Sequence, residues 1–182
     1  MAERDIIFRI GEEQYGFDVQ AVTAIEPMMD IVPVPTGPAC VLGLMNLRGE
    51  VIPVYSLRTR FGMEEYTDPA LTKLIVARYD GKPIAFKVDE VMEMSDFHSG
   101  DISETPVIAK SARTSYVRAI GNKQGKLILL LDPAGMYEGD EEAQMDAVLE
   151  KMQKKDEPAK EETPKKTRKS TKKVAEEAAT EE

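Results

Sequence analysis

Catalysis needs a nucleophile with its base, a paired acid and base, or a cluster of metal ligands, and this sequence is poor in all three. His98 is its only histidine, which excludes a multi-histidine metal site. Cys40 is its only cysteine. It follows a proline-rich loop with no cation nearby in sequence to lower its pKa, so it reads as a small buried hydrophobe. The acidic pairs Glu12-Glu13 and Asp89-Glu90, and the run from Asp140 to Glu142, read as turn and surface charge. Asp18, close to Gly16, reads as a hydrogen-bonding residue at a strand end. No glycine pattern follows a strand and opens a helix, so no phosphate cradle is visible. The expectation is a protein with no catalytic residue, no metal and no cofactor. The ten methionines are another kind of chemistry. Met28 and Met29, and Met92 and Met94, flank strand-like runs, where a flexible thioether suits either a core or a surface that accepts partners.

Charge is spread unevenly along the 182 residues. Residues 151–182 hold ten of the 24 Lys/Arg and eight of the 33 Asp/Glu, with Val174 as the only branched aliphatic. Such a segment cannot bury enough apolar surface to offset its ordering entropy and reads as a disordered Lys/Glu/Ala/Pro-rich tail. Residues 1–150 are left with 14 basic and 25 acidic side chains, a net of −11. That charge repels phosphate and argues against nucleic acid as a partner. A nucleic-acid-binding small barrel would have to rely on the tail, where Lys165, Lys166, Arg168, Lys169, Lys172 and Lys173 cluster. A lone cysteine, a charged N-terminus and the lack of any apolar run near the roughly 20 residues that span a bilayer point to a cytoplasmic protein.

The elements are short. Asp5 to Ile10 and Tyr15 to Val19 read as two strands about a turn at Gly11 to Gln14. Gln20 to Ile25 satisfies neither the helical nor the strand period. Pro27, Pro33, Pro35 and Pro38 then exclude a long helix, and Ile31 to Val34 suits an extended edge. Val41 to Tyr55 is the clearest hairpin, with a polar corner at Asn46 to Gly49. Gly49 suits the left-handed position of a short loop. Val51, Pro53 and Tyr55 share one face of its second arm, and Pro53 marks that arm as an edge or the neighbour of a bulge. Ser56 to Phe61 reads as a helical turn. Lys73 to Tyr79 and Pro83 to Val88 flank Asp80-Gly81, a strong hairpin signal. Val91 to Met94 adds a short apolar piece, and Ser95 to Ser115 reads as irregular around Pro106-Val107-Ile108. Tyr116 to Ile120 and Lys126 to Leu131 flank a loop at Gly121 to Gly125. Asp132-Pro133 is a helix start. Met145, Val148, Leu149 and Met152 repeat at helical spacing. Four hairpins and almost no long helix predict an all-β protein of the barrel type.

Gly43 to Val54, with its Asn-Leu-Arg-Gly corner and aliphatic-Pro arm, closely resembles the signature hairpin of the CheW family, the coupling proteins of bacterial chemotaxis. Supporting matches are Tyr15 to Val19 with Val22 and Ile25, Leu57 to Phe61, Val88 to Val91 and Leu127 to Leu131, so the resemblance covers roughly residues 4–137. It implies two five-stranded SH3-like barrels packed together with an apolar groove between them, short helical turns and a short C-terminal helix. The domain would run over 1–140 with a subdomain crossover near 62–72, and 141–182 would be helical, then disordered. The resemblance also implies a non-catalytic adaptor between the cytoplasmic tips of chemoreceptors and the regulatory domain of the histidine kinase CheA. Such an adaptor is recruited to membrane-bound receptor arrays without entering the membrane, and can assemble into rings.

By position, Val22, Gly43, Val91 and Met94 match receptor-binding positions. Ile31 and Val32, and Val107 and Ile108, match two kinase-facing surfaces. Asn46, Arg48, Gly49 and Glu26 form the hairpin's structural or coupling set. The family often places an acid where this chain has Ala24. Period 2 puts residues 24 and 26 on one strand face, so Glu26 is the substitute partner for Arg48. Lys73 stands where the family tends to be aliphatic. A coupling protein of a pilus-type pathway is the alternative within the same resemblance.

Overall fold

The computed structural model describes residues 3–34, 37–104, 116–136, 146, 147 and 150. In chain order its elements are β1 (Glu3–Ile10), β2 (Glu13–Asp18), β3 (Val22–Pro27), β4 (Val41–Leu47), β5 (Glu50–Ser56), α1 (Leu57–Arg60), β6 (Lys73–Tyr79), β7 (Lys82–Val88), β8 (Glu90–Phe97), β9 (Ile102–Glu104), β10 (Val117–Lys123) and β11 (Lys126–Leu131), followed by a 3-10 turn at Ala134–Met136. The strands form a six-stranded sheet, β8-β1-β2-β11-β10-β9, and a five-stranded sheet, β3-β6-β7-β5-β4. The fold is the all-β, two-barrel SH3-like arrangement, with six strands rather than five in one half. The sixth is β9, three residues within the stretch expected to be irregular. Its pairing with β10 outweighs its Ser- and Glu-rich composition.

Several strands read as continuous apolar runs because both of their faces are buried. In β6, Leu74 and Val76 enter a core inside the five-stranded barrel, while Ile75 and Ala77 enter a core shared with the other sheet. In β1, Ile6 and Phe8 face the shared core and Ile7 faces the core of the six-stranded barrel. The shared core is the largest of the three. It packs Phe8 against Phe17 and Phe17 against Phe86 as tilted pairs, at centroid distances of 4.8 and 5.3 Å, so aromatic rings from both sheets form its centre. Cys40 is buried there, as expected. The space between the barrels is therefore packed along its middle.

Three hairpins turn in two residues, both with positive φ: Arg48-Gly49, Asp80-Gly81 and Gln124-Gly125. This is the twist that two-residue loops favour. It trims two loops from their expected length. Gly121, Asn122 and Lys123 belong to β10, and β2 begins at Glu13, leaving Gly11-Glu12 as its turn. The ambiguous Gln20 to Ile25 contains the start of a strand, β3. Pro53 lies on β5, which is interior rather than at an edge, beside β7. Its missing N–H is tolerated because the parallel β5–β7 pairing begins at Val54, and a register shift in β4 lies beside it.

The crossover expected near 62–72 is not a crossover. That segment joins α1 to β6, both on the five-stranded half, and the chain changes sheets between β2 and β3 and again at Asp89. The polar loop is tied down rather than linking. Lys87 donates to Glu65 at 2.7 Å, Ser56 and Thr59 also donate to Glu65, and the Arg58 guanidinium lies over the Tyr66 ring. Ser56 caps α1, its hydroxyl accepting from the Thr59 N–H. Asp132 accepts from the Ala134 N–H at 2.9 Å, starting the 3-10 turn at Ala134–Met136. Asp146, Ala147 and Glu150 are helical, and Met145, Val148, Leu149 and Met152 lie outside the described residues.

Candidate functional site

The β4–β5 hairpin is built from its corner outward. The Asn46 side chain accepts from the Gly49 N–H at 2.8 Å, which fixes the turn. Arg48, held at positive φ, projects from it and is 79% exposed. Its guanidinium donates to Glu26 at 3.1 Å. Glu26 lies on β3, the opposite end of the five-stranded sheet, so this ion pair spans the seam where the sheet curls back on itself. The strand-face reasoning that named Glu26 as the partner of Arg48 holds because residues 22–27 are a strand.

The same seam is closed below the corner by a backbone bridge. The Val32 N–H donates to the Leu44 carbonyl at 2.8 Å, and the Leu44 N–H returns a bond to the Val32 carbonyl at 2.9 Å. Gly43 lies beside this bridge at φ 152°, where a Cβ would sit 2.2 Å from the Val32 carbonyl oxygen. Gly43 is thus required by close backbone approach, and its neighbours are Ile31 and Val32. Ile31 packs partly into the barrel core, while the Val32 side chain is 58% exposed.

Val22, Val91 and Met94 lie on other strands. Val22 on β3 and Val91 on β8 come from end strands of the two sheets, and both pack on the margin of the shared core. Met94 stands opposite Ile6 in register, which puts it on the β8 face that looks toward that core. It is 66% exposed. Met92 is the residue skipped where the β1–β8 register shifts, and its sulfur accepts from Gln14 at 3.1 Å. Met28 and Met29 are partly buried against the core of the five-stranded barrel, in contrast to the exposed Met92 and Met94. Val107 and Ile108 lie outside the described residues.

The two halves repeat one device. At the β10–β11 corner, Asn122 accepts from the Gly125 N–H at 3.0 Å, and the neighbouring Lys123 donates to Glu93 and Ser95 of β8, the far end of that sheet. The hydrogen bond and charge of Lys123 hold the Glu93 carboxyl below the usual carboxylate range.

One polar centre was misread as surface charge. Asp89 is buried at the point where the chain passes from β7 to β8. Arg58 Nε and Nη2 each donate to it at 2.7 Å, and the Gly11 N–H donates at 2.7 Å. Burial pushes the Asp89 carboxyl up, but the bonds from Arg58 and Gly11 and the charges of Arg58 and Arg9 outweigh it, and its pKa is lowered. Arg58 comes from the five-stranded half and Gly11 from the six-stranded half, so Asp89 staples the two. The separation of 31 residues between Arg58 and Asp89 hides this pair from any local reading. Asp18 has the expected role, accepting from the Gln20 N–H at 2.8 Å.

Among the described residues, no group of three or more His, Cys, Asp or Glu is arranged to hold a metal ion, and no helix is long and apolar enough to cross a membrane. Residues 6–141 match the family described as the CheW-like domain. The chain is 30% identical over 136 residues to the chemotaxis protein CheW of Rhizobium meliloti, covering 75% of this chain and 88% of that one. It is 31% identical over 125 residues to the chemotaxis protein CheW of Thermotoga maritima, covering 69% and 81%. Among solved structures, it superposes on the scaffolding protein TtCheW from Thermoanaerobacter tengcongensis with a TM-score of 0.71 at 26% identity, over 78% of this chain and 96% of that one.

Proposed function

We infer that this chain, which belongs to the CheW family, is a non-catalytic adaptor that couples the cytoplasmic tips of chemoreceptors to a CheA-type histidine kinase. The observation that carries the reading is the exposure of large apolar side chains on end strands or seams of a tightly packed double barrel. Val32 lies at the seam of one half, and Met94 lies on the end strand of the other. Apolar side chains grouped at an exposed margin are what a docking surface requires. Val22, Val91 and Met94 receive the receptor tip in this reading. Ile31 and Val32 face one kinase or kinase-like domain, Val107 and Ile108 another, and Gly43 acts on the first of these by holding Val32 in place. Arg48 and Glu26 border the Val32 surface and adjust its charge.

Two or three such interfaces, each at or below about 800 Å² per partner, gain strength through multivalency when many copies assemble with receptors and kinase into rings or arrays. The adaptor works in the cytoplasm and reaches the membrane through the receptor. The test is a calorimetric titration of the full chain against a CheA regulatory domain and against a receptor cytoplasmic tip. The parent binds both. Val32→Asp and Ile108→Asp lose kinase affinity and keep the receptor, and Met94→Asp does the reverse. Failure of the parent to bind either partner removes the function and leaves the fold as it is.

A further inference from the structure

Among the described residues, the methionines fall into two kinds. Met45 and Met136 are buried, and Met28, Met29 and Met63 pack partly buried against the cores. Only Met92 and Met94, two residues apart on β8, are exposed. The register shift at Met92 brings Val91 opposite Phe8 and Met94 opposite Ile6, so Val91 and Met94 share the face that looks toward the shared core. Met92, the bulged residue, accepts a hydrogen bond from Gln14 instead. A thioether within reach of solvent is open to peroxide, whereas one sealed in a core is not. The sulfur lone pair attacks one peroxide oxygen, the O–O bond breaks, and the other oxygen leaves as water. Sulfur is oxidised by two electrons, the peroxide is reduced by two, and a flexible apolar side chain becomes a polar sulfoxide.

We propose that Met94 is a peroxide-sensitive modification site, whose oxidation to the sulfoxide uncouples this chain from the receptor tip. In the adaptor reading on which this rests, Val22, Val91 and Met94 receive that tip. A docked tip covers the sulfoxide oxygen and strips it of the water it bonds in the free protein, a cost the thioether does not carry. The two exposed sulfurs differ in consequence. Gln14 can move its hydrogen bond from the Met92 sulfur to a sulfoxide oxygen on the same side chain, so oxidation there is tolerated. Met94 has the apolar Val91 as its neighbour on the same face, and its oxidation is the switch. Because β8 is an end strand, the change disturbs neither barrel core.

The test is graded hydrogen peroxide treatment of the full chain. Peptide mass spectrometry reads oxidation at each methionine, and calorimetry reads affinity for a receptor cytoplasmic tip. Met92 and Met94 oxidise at least about tenfold faster than Met45 and Met136. Receptor affinity falls about tenfold in step with Met94 oxidation, while the urea midpoint holds. Methionine sulfoxide reductases with a thiol reductant restore the affinity. Met92→Leu keeps the peroxide response. Met94→Leu, whatever its own affinity, shows none, and Met94→Gln binds without peroxide as weakly as the oxidised parent. Failure of the untreated parent to bind the tip sinks the adaptor reading and the switch with it. Parent binding that survives complete Met94 oxidation, a peroxide response retained by Met94→Leu, or equal oxidation rates at Met94 and Met45 would each overturn the switch alone.

Discussion

Two arginines ten residues apart pair with carboxylates and serve opposite ends. Arg58 has a side chain 19% exposed, meets Asp89 with two parallel hydrogen bonds, and shares that carboxylate with a backbone N–H from the other sheet. Arg48 makes a single hydrogen bond to Glu26 and extends into solvent. The first arrangement is bidentate and desolvated, the geometry in which an ion pair is costly to break. The second is exposed and monodentate, the geometry in which a pair adds little to stability. Stability therefore resides at the crossing between sheets, while the hairpin corner presents charge to whatever approaches it.

Removing one partner at each site gives the largest contrast. Arg58→Ala leaves the buried Asp89 carboxylate with the Gly11 N–H as its remaining hydrogen bond and should lose about 3 kcal/mol in urea unfolding, near the lower bound for broken buried pairs. Arg48→Ala should lose less than about 0.5 kcal/mol in the same measurement. Equal losses would break the contrast.

Gly43→Ala separates the hairpin's packing from its corner. The added methyl would push the Val32 carbonyl off Leu44, and the expected loss is about 2 kcal/mol, as for other overpacked sites. Kinase affinity should fall with it. Normal kinase affinity together with lost receptor affinity would move Gly43 back to the receptor surface.

Acid sharpens the contrast further. Because the pKa of Asp89 is lowered by folding, its contribution is fully present above the unfolded value, 3.8, and is lost as pH falls below it through the folded value. The stability difference between the parent and Arg58→Ala should be largest near neutral pH and shrink as acid protonates Asp89, first in the variant, where burial is no longer offset by Arg58. A difference that is constant down to pH 2 would place the stabilisation elsewhere. The smallest effect on stability belongs to Arg48→Glu and Glu26→Arg. A double-mutant cycle on urea midpoints should give a coupling of about 0.5 kcal/mol or less, while calorimetry detects a change in kinase affinity.

What the sequence disclosed follows from where the determining contacts lie. Asp80-Gly81 specified its hairpin because the turn is decided by two adjacent residues with positive φ. The Arg48–Glu26 pair was legible because the family resemblance implied an acid partner for Arg48 at position 24, and strand periodicity keeps Glu26 on the same face as that position. The passage between sheets was not legible. It depends on the parallel pairings of β5 with β7 and β11 with β2, which join segments distant in sequence. For the same reason residues 62–72 read as a linker: their polarity is local, but Glu65 is satisfied by Lys87 from a strand 22 residues away. Asp89 looked like surface charge beside Glu90, since only the folded chain brings Arg58 and Gly11 to it.

The shared aromatic core has a mechanical consequence. Phe8 and Phe17 of one barrel interlock with Phe86 of the other, and Asp89 pins the strand connection beside them. Neither barrel can tilt against its neighbour without opening that contact, so the pair should unfold in one step and behave as a stiff strut. A partner gripping the Val32 end and a partner gripping the Met94 end would be held at a fixed spacing and angle. In the proposed arrays, that fixed offset would set the pitch.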